Sequence, residues 1–214
     1  MGGTRNIASP GHTGQCATPH PSDWIQEMTQ QDQERWNERY RSPRWKGGPL
    51  PHSLLSEYAG LLTGGLALDL ACGLGQNALW LAEHGYRVIA VDISRVALRR
   101  GLKAARRQGL ADRVLFVQAD LDHFRPPAES CDLICVFRFL NRGLFPAIRA
   151  ALRPGGVLIY ATLNWRRAQT HPDVPREYLL RPGELGRAFG EMEIIAQGEN
   201  GETSHLIARR RREY

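Results

Sequence analysis

Five short apolar runs recur along the chain, and segments with the helical spacing of apolar residues lie between them. The runs cover residues 66–72, 87–91, 114–119, 132–136 and 157–163. Apolar runs of this length, without strict alternation, are typical of parallel strands that are buried on both faces. Because helices alternate with these strands, the pattern predicts an α/β fold with a doubly wound sheet.

The last part of the chain shows a different pattern, in which two strands follow each other closely. Residues 192–197 and 204–208 are separated by the tight turn Glu199-Asn200-Gly201-Glu202. A turn of this kind joins antiparallel strands in a hairpin. We therefore expect a Rossmann-like, seven-stranded sheet that is mostly parallel and has an antiparallel last strand.

The region before the first strand divides into two parts. Residues 1–21 contain few large apolar side chains and predict a flexible tail, because such a segment cannot bury enough surface to become ordered. Residues 22–62 predict a helical segment, with an amphipathic helix over residues 22–40 and a short helix over residues 53–62. The remaining residues, 63–214, form the expected ligand-binding domain.

Residues 66–82 combine a strand, a glycine turn and the first turns of a helix in the sequence LALDLACGLGQNALWLA. Glycine lets a ligand approach the backbone closely, and the N-terminus of a helix offers free N–H groups to it. The G-x-G-x-x-A pattern that begins at Gly73 also fits a dinucleotide site, so a nicotinamide cofactor is one alternative. Asp69 argues against it, because a buried carboxylate behind the turn repels a pyrophosphate and attracts an ammonium or sulfonium group.

Asp92 directly follows the second apolar run and comes roughly 20 residues after the glycine turn. In nucleotide-binding α/β proteins an acid in this position accepts hydrogen bonds from ribose hydroxyls. Asp92 therefore supports a ligand that contains a nucleoside, whether that ligand is NAD or another cofactor.

Length and composition fit one domain of ordinary size. The chain has 214 residues, of which 42% are hydrophobic and 23% charged, and this suffices for a substantial core. No apolar run reaches the ~20 residues of a membrane span, and the N-terminus lacks the apolar core of a signal peptide, so we expect a cytoplasmic protein without a membrane partner. The four cysteines, Cys16, Cys72, Cys131 and Cys135, lack zinc-binding spacing and predict reduced thiols and no metal site.

The chain carries more basic than acidic residues, with 28 lysines and arginines, 22 acids and a net charge of +6. Lys46 and Lys103 are the only lysines. We interpret this bias towards arginine as a feature of a GC-rich genome, and the C-terminal arginines 209–212 as a solvated end. A nucleic-acid partner is therefore less favoured than a small molecule.

The stretch Asp69-Leu70-Ala71-Cys72-Gly73-Leu74-Gly75 resembles the first motif of the class I S-adenosylmethionine (SAM)-dependent methyltransferases. Its continuation through Gly85 resembles the small bacterial subgroup that includes the tellurite-resistance (TehB-like) methyltransferases. The L-x-P-G-G pattern at residues 152–156, before the fifth strand, is a second mark of the family. The resemblance covers roughly residues 36–209, and it implies SAM as the cofactor and S-adenosylhomocysteine as the product.

The resemblance also implies which residues bind the cofactor. Asp120, at the end of the third strand, is expected to reach the exocyclic amine of adenine, with the backbone of Leu121 beside the ring. Residues before the first strand fold over the cofactor in similar enzymes, which implies roles for Trp36 and Tyr40. The complete expected set is Asp69, Ala71, Gly73, Gly75, Asn77, Asp92, Ile93, Asp120, Leu121, Phe137, Trp36 and Tyr40.

The methyl acceptor is expected near residues 137–142, because ligands of doubly wound sheets bind outside the carboxyl ends of the strands. Arg138, Arg142 and Arg176 are candidates for holding an anionic acceptor, since guanidinium groups match carboxylates and oxyanions. The polar segment 164–181 predicts a substrate lid, and its His171 is a candidate general base.

Several acceptor classes are disfavoured by what the sequence lacks. The Pro-Pro-aromatic motif of DNA and protein amino-group methyltransferases is absent after the fourth strand, and no cysteine follows a proline as cytosine-C5 enzymes require. Residues 197–202 also lack the basic residues that tellurite-resistance enzymes carry there, which disfavours an oxyanion. We therefore expect methyl transfer to O, S or N of a small molecule; an RNA-modifying methyltransferase and a non-catalytic SAM- or nucleotide-binding protein are the alternatives.

Overall fold

The computed structural model describes residues 21–42 and 50–212, with side chains from residue 30 onward in the first of these segments. The tail expected over residues 1–21 thus lies outside the described residues except for its last position. Cys16 and residues 43–49, which belong to the segment between the two expected N-terminal helices, also lie outside the described residues.

Seven strands form one sheet. They are β1 (Gly65–Leu70), β2 (Tyr86–Asp92), β3 (Val114–Gln118), β4 (Cys131–Phe137), β5 (Leu152–Leu163), β6 (Glu193–Asn200) and β7 (Thr203–Arg209). Their order in the sheet is β3-β2-β1-β4-β5-β7-β6. The pairs from β3 to β5 are parallel, whereas β7 is antiparallel to both β5 and β6. The expected seven-stranded sheet with an antiparallel last strand is confirmed.

Seven helices accompany the sheet among the described residues. They are α1 (Pro21–Arg41), α2 (Ser53–Glu57), α3 (Gln76–Glu83), α4 (Arg95–Arg107), α5 (Phe145–Ala151), α6 (Arg167–Thr170) and α7 (Glu184–Ala188). The helix expected over residues 53–62 is shorter, because Tyr58 leaves helical geometry and a 3-10 turn (Ala59–Leu61) follows. In the part of the chain described, no helix has the length and apolar character required to cross a lipid bilayer.

The two faces of the sheet carry separate cores, since successive residues of a strand point to opposite faces. On β1, Ala67 packs with apolar side chains of α2, α3 and α4, whereas Leu68 and Leu70 pack with those of α5. All three are at most 1% exposed. The central strands are therefore held from both sides, and they fix the positions of the loops at their carboxyl ends.

The fifth strand begins earlier than the sequence predicted, at Leu152 rather than at Val157. The L-x-P-G-G segment pairs irregularly with β4, and the register shifts between Cys131 and Leu133. A Cβ on Gly156 would lie 2.9 Å from the carbonyl oxygen of Arg153, which explains a glycine there. The pattern thus forms an irregular beginning of the strand instead of a separate turn.

The strand order reverses beside β1, which has β2 on one side and β4 on the other. In doubly wound sheets this switch point opens a crevice at the carboxyl ends of the strands, where ligands bind. The residues that follow β1, β2 and β4 are therefore the first place to look for a functional site.

Candidate active site

Two non-glycine residues at the switch point adopt a left-handed backbone conformation. Ala71 follows β1 with φ of 55°, and Arg138 follows β4 with φ of 56°. Such a conformation costs a residue with a Cβ on the order of 1 kcal/mol or more, and it persists where the surrounding structure enforces it. Strained residues of this kind cluster at functional sites, and here they mark the ends of the two central strands.

Asp69 lies on β1 between Ala90 of β2 and Cys135 of β4. It is 1% exposed, and its Oδ2 has no hydrogen-bond partner among the described residues. Burial, followed by the charge of Asp92, raises the pKa of the Asp69 carboxyl to about 8, although the Ala78 N–H donates to it. The free protein therefore holds Asp69 mainly protonated at pH 7, with one carboxyl oxygen left for a further partner.

The glycine turn after β1 is shaped by two close contacts. Gly73 and Gly75 have φ values of 55° and 78°. A Cβ on Gly73 would lie 2.6 Å from the hydroxyl of Tyr40, and a Cβ on Gly75 would lie 2.7 Å from the ring of Phe116. Gly75 therefore serves internal packing, whereas Gly73 keeps the turn open towards α1.

Asp92 ties the ends of β1 and β2 together. Its carboxylate accepts hydrogen bonds from the N–H of Gly73 at 2.7 Å and the N–H of Ser94 at 2.8 Å. Burial raises the pKa of Asp92, and these N–H donors act in the opposite direction. Asp92 thus orders both the glycine turn and the beginning of α4.

Helix α1 lies against the start of α4. Asn37 Oδ1 accepts hydrogen bonds from the Ser94 hydroxyl at 2.9 Å and the Val96 N–H at 3.1 Å, and Arg100 donates to the Tyr40 carbonyl at 2.6 Å. Tyr40 is buried, and burial followed by the charge of Asp92 raises its pKa. Asn37 was not singled out from the sequence, because nothing in a helical pattern reveals a partner 57 residues away.

The expected adenine-side residues lie at the ends of β2 and β3. Asp120 Oδ1 accepts a hydrogen bond from the Asp122 N–H at 2.9 Å, and Leu121 is buried in the core on the α5 face. The carbonyl of Ile93 accepts side-chain hydrogen bonds from Gln33 and Gln118, both at 3.4 Å. Ile93 is therefore held by α1 and β3 together.

The expected residues Asn77 and Phe137 meet at a residue that the sequence did not single out. Asn77 Oδ1 accepts a hydrogen bond from the His52 N–H at 2.8 Å, and the rings of His52 and Phe137 stack at 4.3 Å between centroids. His52 Nδ1 accepts from the Leu54 N–H at 3.3 Å and caps α2. His52 thus joins α2, α3 and β4 at the site, and no sequence motif marks it.

Burial, then the nearby charges of Arg138 and His205, lower the pKa of His52. At pH 7 this favours the neutral ring, whose Nε2 carries the proton because Nδ1 accepts a hydrogen bond. His205 lies on β7 opposite Gly198 and Ala161. The last hairpin therefore brings a histidine to the site although its turn contains no basic residue.

The three candidate acceptor arginines have different surroundings. Arg138 is exposed at the end of β4, and Arg176 is exposed in the 3-10 turn Arg176–Tyr178. Arg142 binds both carboxylate oxygens of Glu184, at 2.6 and 3.0 Å, and the carbonyls of Glu177 and Leu179. Arg142 therefore fastens the segment before α7, and Arg138 is the arginine nearest the switch point.

The segment 164–181 is more ordered than the sequence suggested. It contains α6 and the 3-10 turn, and the side chains of Arg166 and Arg167 form ion pairs with Glu199 and Glu202 of the last hairpin. Its His171 is half-buried and contacts the hydroxyl of the preceding Thr170 at 2.8 Å. The segment as a substrate lid, and His171 as a base, stay predictions.

Residues 67–156, which include β1, the glycine turn, Asp92, Asp120 and Phe137, match the family model of a methyltransferase domain. The sheet order and the antiparallel β7 agree with that match. Over these residues the chain is similar to a methyltransferase domain. The relationship suggested by the motif at residues 69–75 is thereby confirmed.

The proteins that are similar to this chain in sequence differ in name and length. Hemagglutinin 1 of Eikenella corrodens is 32% identical in an alignment of 158 residues that covers 69% of this chain and 50% of that protein. A tRNA 5-carboxymethoxyuridine methyltransferase of Escherichia coli is 32% identical in an alignment of 97 residues that covers 42% of this chain and 37% of that protein. The chain thus spans half the length of the first relative and little more than a third of the second.

Among solved structures of the superfamily, TehB from Haemophilus influenzae has a similar fold. The TM-score is 0.64 at 16% sequence identity, and the similarity covers 84% of this chain and 67% of that one. The expected likeness to the tellurite-resistance subgroup is therefore present at the level of the fold.

Proposed function

We propose that the protein transfers a methyl group from SAM to a small-molecule acceptor at oxygen, sulfur or nitrogen. The observation that carries this proposal is the buried carboxyl of Asp69 behind the glycine turn, with an oxygen that lacks a partner among the described residues. A carboxylate in this position favours a ligand with a cationic group and disfavours a pyrophosphate.

The residues of the site fit SAM. Asp69 offers a carboxyl that can ionise to meet a cation, Gly73 lets the Tyr40 hydroxyl pack against the turn, and Asp92 lies at the end of β2, where acids accept hydrogen bonds from ribose. When bound, SAM supplies a methyl group already activated by the positive sulfur. The chain's own contribution is then to align the acceptor and exclude water.

Specific residues suit these two tasks. Tyr40 packs against the glycine turn, and Asn37 holds α1 to the start of α4; together these contacts would limit access of water to the turn. Phe137, stacked with His52, provides an apolar wall at the end of β4, and Arg138 provides a positive charge next to it. A general base is needed only where the acceptor loses a proton, and the Nε2–H of neutral His52 suits donation of a hydrogen bond to an acceptor oxygen.

RNA is the second candidate for the acceptor, because a relative over 97 residues is named for methylation of a modified tRNA base. The small molecule is preferred here since the site is walled by Phe137 and His52 within one domain. Non-catalytic binding of SAM or a nucleotide is the third reading.

Calorimetry with S-adenosylhomocysteine and with NADH tests the cofactor assignment. We expect S-adenosylhomocysteine to bind and NADH to give no measurable heat, because the buried carboxyl of Asp69 behind the glycine turn disfavours a pyrophosphate. Binding of NADH without binding of S-adenosylhomocysteine would refute the proposal. Candidate metabolites can then be screened for release of S-adenosylhomocysteine from SAM, which also separates catalysis from binding alone.

We expect Arg138→Ala to lower kcat/KM for the acceptor by about 10- to 100-fold, while the Kd of SAM changes less than about twofold. The reason is that Arg138 follows the end of β4 on the expected acceptor side, where its charge acts on His52, whereas most of the expected cofactor residues lie at the ends of β1, β2 and β3. Steady-state kinetics and calorimetry measure the two quantities.

Arg138→Gly serves as the matched control, because φ of 56° is unstrained for glycine. Both variants should lose the same activity, while the glycine variant unfolds at a higher temperature than the alanine variant. Equal losses in acceptor turnover and in SAM affinity would instead assign Arg138 to the cofactor site.

A further inference from the structure

Helix α4 carries a continuous basic surface. Six of its thirteen residues are basic and none is acidic, and the six are all exposed: Arg95, Arg99, Arg100, Lys103, Arg106 and Arg107. At the 100° rotation per residue of an α-helix they occupy an arc of about 140°. We call these six side chains the α4 basic face.

The α4 basic face accounts for the whole charge excess of the chain. The protein has 28 basic and 22 acidic residues and a net charge of +6, and the six cations of α4 equal that excess. The rest of the chain is therefore balanced in charge. Six exposed cations without an acid on one helix form a strongly positive local surface, which is the footprint expected of a site for a polyanion.

The cations of this face are not used for internal contacts, with one exception. Arg100 donates to the Tyr40 carbonyl, whereas none of the six forms an ion pair with an acid among residues 30–42 and 50–212. The C-terminal arginines differ, because Arg209 and Arg210 pair with Glu193 and Glu129. Two of the four C-terminal arginines are thus paired with acids, whereas all six cations of α4 lack an acidic partner among the described residues.

The opposite side of α4 is fixed in the core. Ala97, Leu98 and Ala105 are buried, and a Cβ on Gly101 would lie 2.6 Å from the Phe116 ring. Because this apolar side is committed to the sheet, α4 has no apolar face to insert into a bilayer. The exposed side offers only cations on the helix itself, without an amide or aromatic side chain that could read or stack on a base.

We propose that the α4 basic face is a docking surface for the phosphate backbone of double-stranded RNA. Duplex RNA is recognised mainly through its backbone and shape across a wide, shallow minor groove. A convex, laterally supported helix fits such a groove, whereas the major groove of B-DNA requires a helix that enters it. Helix α1 flanks α4 through Asn37 and Tyr40, and the opposite side of α4 packs on the sheet, so α4 presents a laterally supported surface. The proposal does not depend on the identity of the methyl acceptor.

The test compares two triple variants of the full chain with equal changes of charge. Arg99→Gln, Lys103→Gln and Arg106→Gln neutralise half of the α4 basic face. Arg125→Gln, Arg187→Gln and Arg211→Gln neutralise three exposed arginines elsewhere, whose side chains donate hydrogen bonds to backbone carbonyls. Binding of a fluorescent 20-base-pair RNA duplex is measured by anisotropy at several salt concentrations, beside a DNA duplex of the same sequence and vesicles containing phosphatidylserine.

We expect the unchanged protein to bind the RNA duplex. In the α4 triple variant, the slope of the logarithm of the binding constant against the logarithm of the salt concentration should become less negative by about 2 to 3, because each lost phosphate contact removes about 0.7 to 0.9 from that slope. The affinity should fall at least tenfold in that variant and less than threefold in the control. Equal RNA binding by both triple variants, equal affinity for the DNA duplex, or binding to vesicles without binding to RNA would each overturn the proposal. A failure of S-adenosylhomocysteine to bind in calorimetry would contradict only the proposed cofactor. The RNA measurement would contradict only the proposed docking surface, so the two proposals can fail separately.

Discussion

Replacing Asp69 by asparagine should weaken the binding of SAM by about 10- to 100-fold. The carboxylate offers a charged oxygen that has no partner among the described residues, and a hydrogen bond to a charged group contributes about 1.5 to 3 kcal/mol. The amide has nearly the same shape but no charge, so the substitution removes the electrostatic part of the interaction. Calorimetry with SAM measures the loss.

The same residue makes cofactor binding depend on pH. The pKa of Asp69 in the free protein is raised to about 8, so the carboxyl is mainly neutral below that pH and has to lose its proton to meet a cation. Affinity for SAM should therefore rise with pH between 6 and 7.5, by up to about tenfold per pH unit. Calorimetry in buffers of different ionisation enthalpy should detect release of close to one proton on binding at pH 7.

Ionisation of Asp69 changes folding stability in the opposite direction to SAM affinity, so the two effects can be told apart by measuring both against pH. A buried acid whose pKa is raised binds its proton more tightly in the folded state, so its contribution to stability falls as pH rises from about 4 to 8. Asp69→Asn should then unfold at the same or a higher temperature than the unchanged protein at pH 7.5. Asp132→Asn, on β4 beside Arg153, is the control that leaves SAM affinity unchanged. A folded Asp69→Asn variant with full affinity and an unchanged pH profile would disprove the role.

The sheet and the centre of the site could be predicted because their signals are local. Apolar runs, glycines with positive φ and an acid at a strand end are each encoded within a few residues, and Gly73, Gly75 and Asp92 lie where those signals placed them. The topology then follows from general rules for βαβ units and hairpins. Contacts near in sequence and rules common to all sheets are thus sufficient for this part.

The rest of the site depends on contacts between residues far apart in the chain. Asn37 meets Ser94 across 57 residues, and His52 meets Asn77 across 25. A single histidine or asparagine in a helical or loop segment carries no local sign of such a partner. Arg142 shows the converse. Its position after β4 suggested an acceptor contact, whereas the structure gives it two hydrogen bonds to carbonyls before α7 and two to Glu184, the first residue of α7.

Replacing Asp92 by alanine should have the largest effect of any single substitution at the site. The carboxylate is the acceptor for the N–H groups of Gly73 and Ser94, and it is also the expected partner of the ribose. Each charge-assisted hydrogen bond lost is worth about 1.5 to 3 kcal/mol. We expect SAM affinity to fall by 100-fold or more, and the free energy of unfolding to fall by about 1 to 3 kcal/mol for each N–H left without an acceptor.

Asp92→Asn distinguishes the ordering of the loops from contact with the ligand. Its amide oxygen can still accept from one of the two N–H groups, so stability should recover in part, whereas the amide cannot match the carboxylate as an acceptor for two ribose hydroxyls. Asp112→Ala, an exposed acid before β3, controls for the loss of one negative charge and should alter neither quantity. Thermal unfolding and calorimetry are measured on all three variants. If Asp92→Asn recovered both stability and SAM affinity, Asp92 would act only by holding Gly73 and Ser94, and the ribose contact would have to come from another residue.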